Sequence, residues 1–177
     1  MYARVQEFIY SDDGHDFKAQ YDTLQAMLFN LLDTPVKSTH HIGGTAHFNY
    51  PTEPILDILV GVDNLHDITS LDEKRLNYEG FFRLHHPYKK KVMMAKFNQL
   101  TMLKQTVRLH IIQRETPLFY QYLTIQQALA HDTSLAQLFQ EKKMQAYQHS
   151  ETIRQYETQK ERIFNQLYKR YLKDKDA

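Results

Sequence analysis

Apolar residues along the chain change period four times, and each change predicts a switch between helix and strand. Phe17, Tyr21, Leu24, Leu28, Leu31 and Leu32 recur at steps of three and four, the period of one helical face, so a helix is predicted from Asp16 to Leu32, stopping before Pro35. Val36 to Ile42 (VKSTHHI) is short, partly β-branched and followed by Gly43-Gly44, which predicts a strand ending in a tight turn. Pro54 can open a strand but not sit inside a central one, so the next strand is predicted over Ile55 to about Val62. That run is apolar almost throughout, the pattern of a strand covered on both faces. Asn64 or Asp67 caps a predicted helix reaching about Asn77, with Gly80 ending the segment. Further strands are predicted over Phe81 to His85, Lys91 to Asn98 and Thr106 to Gln113. After Pro117 the chain is rich in Gln, Lys, Glu, Leu and Tyr and lacks proline and glycine, predicting helices over Leu118 to Ala130 and Ser134 to about Lys173.

Strands clustered between helices indicate an α+β fold, with residues 1–115 as an α+β core and 116–177 as a helical segment packed on it. The length of 177 residues suits such an arrangement and is sufficient to bury a core. A net charge of +1 provides no general attraction to nucleic acid or anionic membrane, so binding must rest on local features and nucleic acid is disfavoured as a partner. Absence of cysteine excludes disulfides and thiolate metal sites. The N-terminal residues lack the basic start and long apolar core of a signal peptide, and no stretch approaches the ~18 apolar residues of a membrane span; a cytoplasmic location is the expectation.

One polar residue breaks the most apolar strand. Asp57 lies within Ile55 to Val60, downstream of the Gly43-Gly44 turn, and an ionised carboxylate in such a run must be hydrogen-bonded, paired with a cation or bound to a metal. Two-residue alternation puts Thr106, Arg108 and His110 on one face of their strand, so Arg108 and His110 are candidates to share a cleft with Asp57. His41 ends the neighbouring strand. Two readings stand side by side. In one, Asp57 is a ligand-site residue. In the other it is satisfied structurally, by the backbone of the Gly43-Gly44 turn or by Arg108 or His110. His40, His85 and His86 read as surface or turn residues, the Lys89-Lys90-Lys91 run as solvated, and Tyr147, Tyr156, Phe164, Tyr168 and Tyr171 as helix packing.

A strand, a glycine turn and a following acidic strand form the arrangement used by nucleotidyltransferases of the DNA polymerase beta type. There, glycine admits a phosphate close to the backbone, and carboxylates hold Mg²⁺ against it. The wording here is closer still to one family. His41-Ile42-Gly43-Gly44-Thr45-Ala46 followed by Glu53-Pro54-Ile55-Leu56-Asp57-Ile58 resembles the GrpB family, characterised by HIGSTAVPGL and then KPIIDI. Arg108-Leu109-His110-Ile111-Ile112 is similar to that family's HLHV strand, and Phe119-Tyr120-Gln121-Tyr122-Leu123 to its FRDYL helix. Tyr156, Lys160 and Ile163 match its last helix.

The resemblance implies a nucleotidyltransferase-like fold with a mixed sheet, a helical layer and a helical C-terminal part. It also implies a nucleotide or phosphorylated small molecule as ligand, with possible nucleotidyl transfer to a small acceptor. Gly43, Gly44 and Thr45 would cradle phosphate, Asp57 would be the catalytic, metal-holding carboxylate, and Arg108, His110 and Lys160 would neutralise or orient the substrate. Mg²⁺ is the expected ion; a set of Asp57, His110 and His41 would suit Mn²⁺ or Zn²⁺ better. Departures from the pattern are specific: Gly44 replaces a serine, Glu53 a lysine, and Tyr120-Gln121 an Arg-Asp pair. The positions two residues from Asp57 are Ile55 and Leu59, so the Asp-x-Asp pair of a two-metal enzyme is missing, and a non-catalytic ligand-binding or scaffold protein is the alternative.

Overall fold

The computed structural model describes residues 5–67, 70–84, 89–98 and 104–176. His85 and His86 lie outside them. The elements are α1 (Phe17–Phe29), β1 (Val36–Ile42), β2 (Leu56–Val62), α2 (Ser70–Tyr78), β3 (Phe81–Arg83), β4 (Lys91–Phe97), β5 (Gln105–Gln113), α3 (Pro117–His131), α4 (Thr133–His149) and α5 (Ile153–Asp176). The strands form one mixed sheet in the order β1-β2-β5-β4-β3. Only β2 and β5 run parallel; the other neighbours are antiparallel.

β2 is buried along its whole length, as its almost continuous apolarity predicts. On one face Leu56, Ile58 and Val60 join Val107, Leu109 and Ile111 of β5 and pack under Phe17 and Leu28 of α1 and Leu76 of α2. On the other, Ile42, Leu59 and Ile112 pack against Phe119 and Tyr122 of α3. Each fully buried aliphatic side chain stabilises the fold by roughly 1.5–3 kcal/mol. The sheet therefore separates two layers, α1 and α2 on one side and the C-terminal helices on the other.

Element ends deviate from the periodic reading where side chains compete for backbone groups. α1 stops at Phe29 and not at Leu32, because the Thr34 hydroxyl donates to the Leu28 carbonyl (2.8 Å) and the Thr34 N–H to Leu31 (3.1 Å). Asn64 leads into a short 3-10 turn over Leu65–Asp67, its side chain accepting the His66 N–H at 2.9 Å, and α2 covers Ser70–Tyr78. The single long helix predicted over Ser134 to Lys173 is two. Thr152 accepts the Gln155 N–H (3.2 Å), and the Gln155 side chain accepts the N–H groups of Glu151 (2.8 Å) and Thr152 (3.3 Å). This reciprocal box starts α5 and lets it fold back along α4. Tyr156 is fully buried there, beside Tyr50, Phe139 and Ile163, and Phe164 and Tyr168 pack onto the same cluster.

Candidate functional site

Asp57 and Arg108 are register partners on the parallel pair β2 and β5, so both side chains leave the sheet on the face covered by α3 and α5. Arg108 Nε donates to Asp57 Oδ1 at 2.9 Å and Nη2 to Oδ2 at 3.4 Å. The remaining guanidinium nitrogen, Nη1, donates to Glu157 Oε1 of α5 at 3.0 Å. His110, two residues along β5, places Nε2 at 2.8 Å from Asp57 Oδ1. Asp57 and Arg108 are only 9% and 7% exposed.

Burial alone would raise the Asp57 pKa, but Arg108, then His110 and Lys160, outweigh it and hold the carboxyl well below the usual carboxylate range. Burial lowers the His110 pKa despite Asp57 beside it, so the neutral ring donates its Nε2 proton to the carboxylate. Glu157 is likewise held low: Lys160 and Arg108 overcome the effect of burial.

The glycine turn closes over this pair. Gly43 has φ +78°, and a Cβ there would lie 2.9 Å from Asp57 Oδ2, so both the backbone angle and the carboxylate require glycine. Its N–H donates to Gln126 Oε1 of α3 at 3.0 Å. At Gly44 a Cβ would meet the Thr52 Cβ at 2.5 Å. Thr52, held by its backbone bridge to Ile9, fills the space a serine would need, which accounts for glycine at this position.

Two residues expected in the site are turned away from it. His41 is one step along β1 from Ile42, the register partner of Asp57, and projects from the opposite face, where it stacks on Tyr21 of α1 at 5.3 Å. Its Nε2 lies 3.0 Å from the Thr45 hydroxyl, which also reaches the Ile55 carbonyl at 3.4 Å. Thr45 is buried in that contact, so neither the phosphate-gripping hydroxyl nor the His41–Asp57–His110 set forms. His40 is half-buried, with its ring edge-on to Phe119.

Gly43, Gly44, Asp57, Arg108, His110 and Lys160 line one cleft of about 520 Å³, within the range of roughly 300–1,000 Å³ usual for small-molecule sites. Its other cationic walls are Arg83, Lys89, Lys91, Lys143 and Arg154, against Glu157 and Glu161. Lys91, expected to be solvated, is half-buried and donates to the Tyr122 hydroxyl at 2.8 Å. Lys143 is 3% exposed, with Nζ 4.8 Å from the ring centre of Phe8, 5.1 Å from Tyr50 and 5.9 Å from Phe139. Burial and the charge of Lys160 push its amine down to about 7, against the opposing pull of Glu53.

The sequence reading missed Glu157, Gln126 and Lys143. Glu157 and Gln126 come from helices whose rotation against the sheet is not encoded locally. Lys143 did leave a signal: it takes an apolar-stripe position between the buried Phe139 and Ala146.

The residues do not suit a divalent ion. Asp57 has both oxygens engaged by Arg108, one of them also by His110, and Ile55 and Leu59 provide no second carboxylate. Among the described residues no group of three or more histidine or acidic side chains is arranged to hold a metal. The expected Mg²⁺, Mn²⁺ or Zn²⁺ therefore has no matching donor set.

Known proteins resemble this chain in sequence and in fold. A model of the GrpB protein family matches residues 11–170. This chain belongs to the GrpB family. It is 31% identical over 108 residues to the glutamate-rich protein GrpB of Alkalihalophilus pseudofirmus, a match covering 60% of this chain and 62% of the relative's length. The crystal structure of conserved protein GrpB from Enterococcus faecalis superposes with a TM-score of 0.69 at 21% identity, over 89% of this chain and 96% of that one. Cid1 poly(U) polymerase bound to MgATP gives a TM-score of 0.53 at 16% identity, over 81% of this chain and 46% of that one. The GrpB chain thus has a nucleotidyltransferase-like fold. Among its described residues no helix is long and apolar enough to cross a membrane.

Two outcomes follow from the site's geometry. Gly44→Ser should destabilise the protein by about 1–3 kcal/mol, and Thr52→Gly in the same chain should remove at least half of that cost; equal costs in both backgrounds, measured by urea unfolding, would contradict the packing account. Asp57→Asn leaves Arg108 with Glu157 alone and should cost about 3–5 kcal/mol. Because folding lowers the Asp57 pKa, the unfolded chain takes up the proton first. The pair's stabilisation is complete above about 3.8, the ordinary carboxyl value, and declines as pH falls below it. Unfolding titrations across pH 2–5 should show a shallower acid loss in Asp57→Asn than in the parent.

Proposed function

We propose that the protein binds a nucleotide or another phosphorylated small molecule in the cleft beside the Gly43-Gly44 turn. The surplus of cationic side chains around that cleft carries the reading. Arg108, Lys91, Lys160 and Arg154 are among seven basic side chains that line a space of small-molecule size, against three acids, Asp57, Glu157 and Glu161. Net charge concentrated in this way attracts an anion without making the whole surface basic. The Gly43 N–H, now held by Gln126, is a donor that an incoming phosphate oxygen can take over, and the glycine backbone permits the approach.

The fold supports a nucleotide as the first ligand to test, since Cid1 poly(U) polymerase, which shares it, is known with MgATP and with MgGTP bound. Nucleotidyl transfer to a small acceptor is the reaction such a fold can host. It would rest on Arg108, His110 and Lys160 positioning the phosphates and offsetting charge as the acceptor oxygen approaches. One observation favours a second reading, a binding protein without catalysis: the Asp57 carboxylate is saturated by Arg108 and His110.

Thermal-shift measurements with ATP, GTP, CTP and UTP, each with and without Mg²⁺ or Mn²⁺, test the proposal. At a concentration about 100-fold above Kd, at least one nucleotide should raise Tm by roughly 5–10 °C. Lys160→Ala should weaken that ligand about tenfold or more, the loss expected for one charge-assisted hydrogen bond. No stabilisation by any of the four in any condition would overturn the nucleotide reading.

A further inference from the structure

We infer that the cleft binds its phosphorylated ligand without a divalent cation, because the Arg108 guanidinium already holds the place between two carboxylates that a bound metal would take. The inference rests on the phosphate-binding reading above and specifies the form of ligand the site accepts: the free anion, not its magnesium complex.

Arg108 bridges Asp57 from β2 and Glu157 from α5, with contacts of 2.9 and 3.4 Å on one side and 3.0 Å on the other. This is the work of a bridging cation, done by a side chain that is always charged. Oδ1 of Asp57 is further occupied by His110 at 2.8 Å. Oδ2 faces the backbone of Gly43, where even one added carbon would sit at 2.9 Å. Mg²⁺ needs near-octahedral oxygen coordination and keeps several waters, and neither face of this carboxylate leaves room for them. A solved Cid1 polymerase with the same fold carries its nucleotide as MgATP, so the difference lies in the site and not in the scaffold.

Charge balance points the same way. With Arg108 and Lys160 set against Asp57 and Glu157, the cleft lining still holds more basic than acidic side chains, Lys89 and Arg154 among them, with Glu161 the one further acid in that lining. Those cations match a polyanion directly. A ligand already complexed by Mg²⁺ arrives with less negative charge and gains less from them.

Calorimetric titration of the full chain with ATP and with UTP, once in excess EDTA and once in millimolar Mg²⁺, separates the outcomes. Affinity in EDTA equal to or tighter than in Mg²⁺ is the expected result. Binding at least tenfold tighter in Mg²⁺ would overturn the inference and leave the proposed function standing, whereas no binding in either medium would remove both. A second measurement uses Arg108→Met, which keeps the apolar stem and exposes the carboxylate pair. Mg²⁺ alone should raise the Tm of this variant and leave that of the parent unchanged; a rise in the parent would count against Arg108 as the resident cation.

Discussion

A carboxylate and a guanidinium set level with one another on two parallel strands, in a place water barely reaches, constrain the rest of this molecule. Neither Asp57 nor Arg108 can be buried alone, since removing one partner of a buried pair leaves an uncompensated charge worth several kcal/mol. Their alignment links the register of β2 and β5 to a chemical requirement as well as to apolar alternation. A one-residue slip would bring Leu109 opposite Asp57 and send Arg108 to the layer packed by α1 and α2.

From that pair the site grows outward. The glycine turn approaches Asp57 so closely that only a residue without Cβ fits at Gly43. Arg108 reaches Glu157 and so ties α5, the last helix in the chain, to the centre of the sheet. Lys160, one turn further along α5, stands 3.9 Å from Glu157 and extends the alternation of charge to the cleft wall. The cleft is therefore lined by the first strand turn, the central parallel pair and the final helix, and its cationic character follows from the excess of basic over acidic side chains in that lining. The same arrangement explains why a metal-like role passes to a side chain in a fold that elsewhere carries a metal-bound nucleotide.

Much of this was legible in the chain itself. The near-continuous apolarity from Ile55 to Val60 marked a strand buried on both faces, and the lone Asp57 within it marked the site. Alternation along β5 correctly put Arg108 and His110 on one face. The same alternation, applied to β1, assigns His41 and Ile42 to opposite faces, and His41 is not in the cleft although it ends the strand beside Asp57. The break at Thr152 was also written locally, as a Thr-x-x-Gln capping box hidden in a segment of uniformly high helix propensity. What was not legible is tertiary phase. Nothing near Glu157 or Gln126 states which way its helix turns, because that is settled by how Tyr156, Ile163 and Leu167 seat α5, and Ile125 and Leu129 seat α3, in a core assembled from distant segments.

The account depends on the coupling between Asp57 and Arg108, and a double-mutant cycle in urea measures it most directly. Asp57→Asn, Arg108→Met and the two together should give costs that fall short of additivity by at least about 2 kcal/mol, since the second change relieves the charge stranded by the first. Costs that add to within about 0.5 kcal/mol would mean that the two side chains do not depend on one another, and the site would have lost its organising contact.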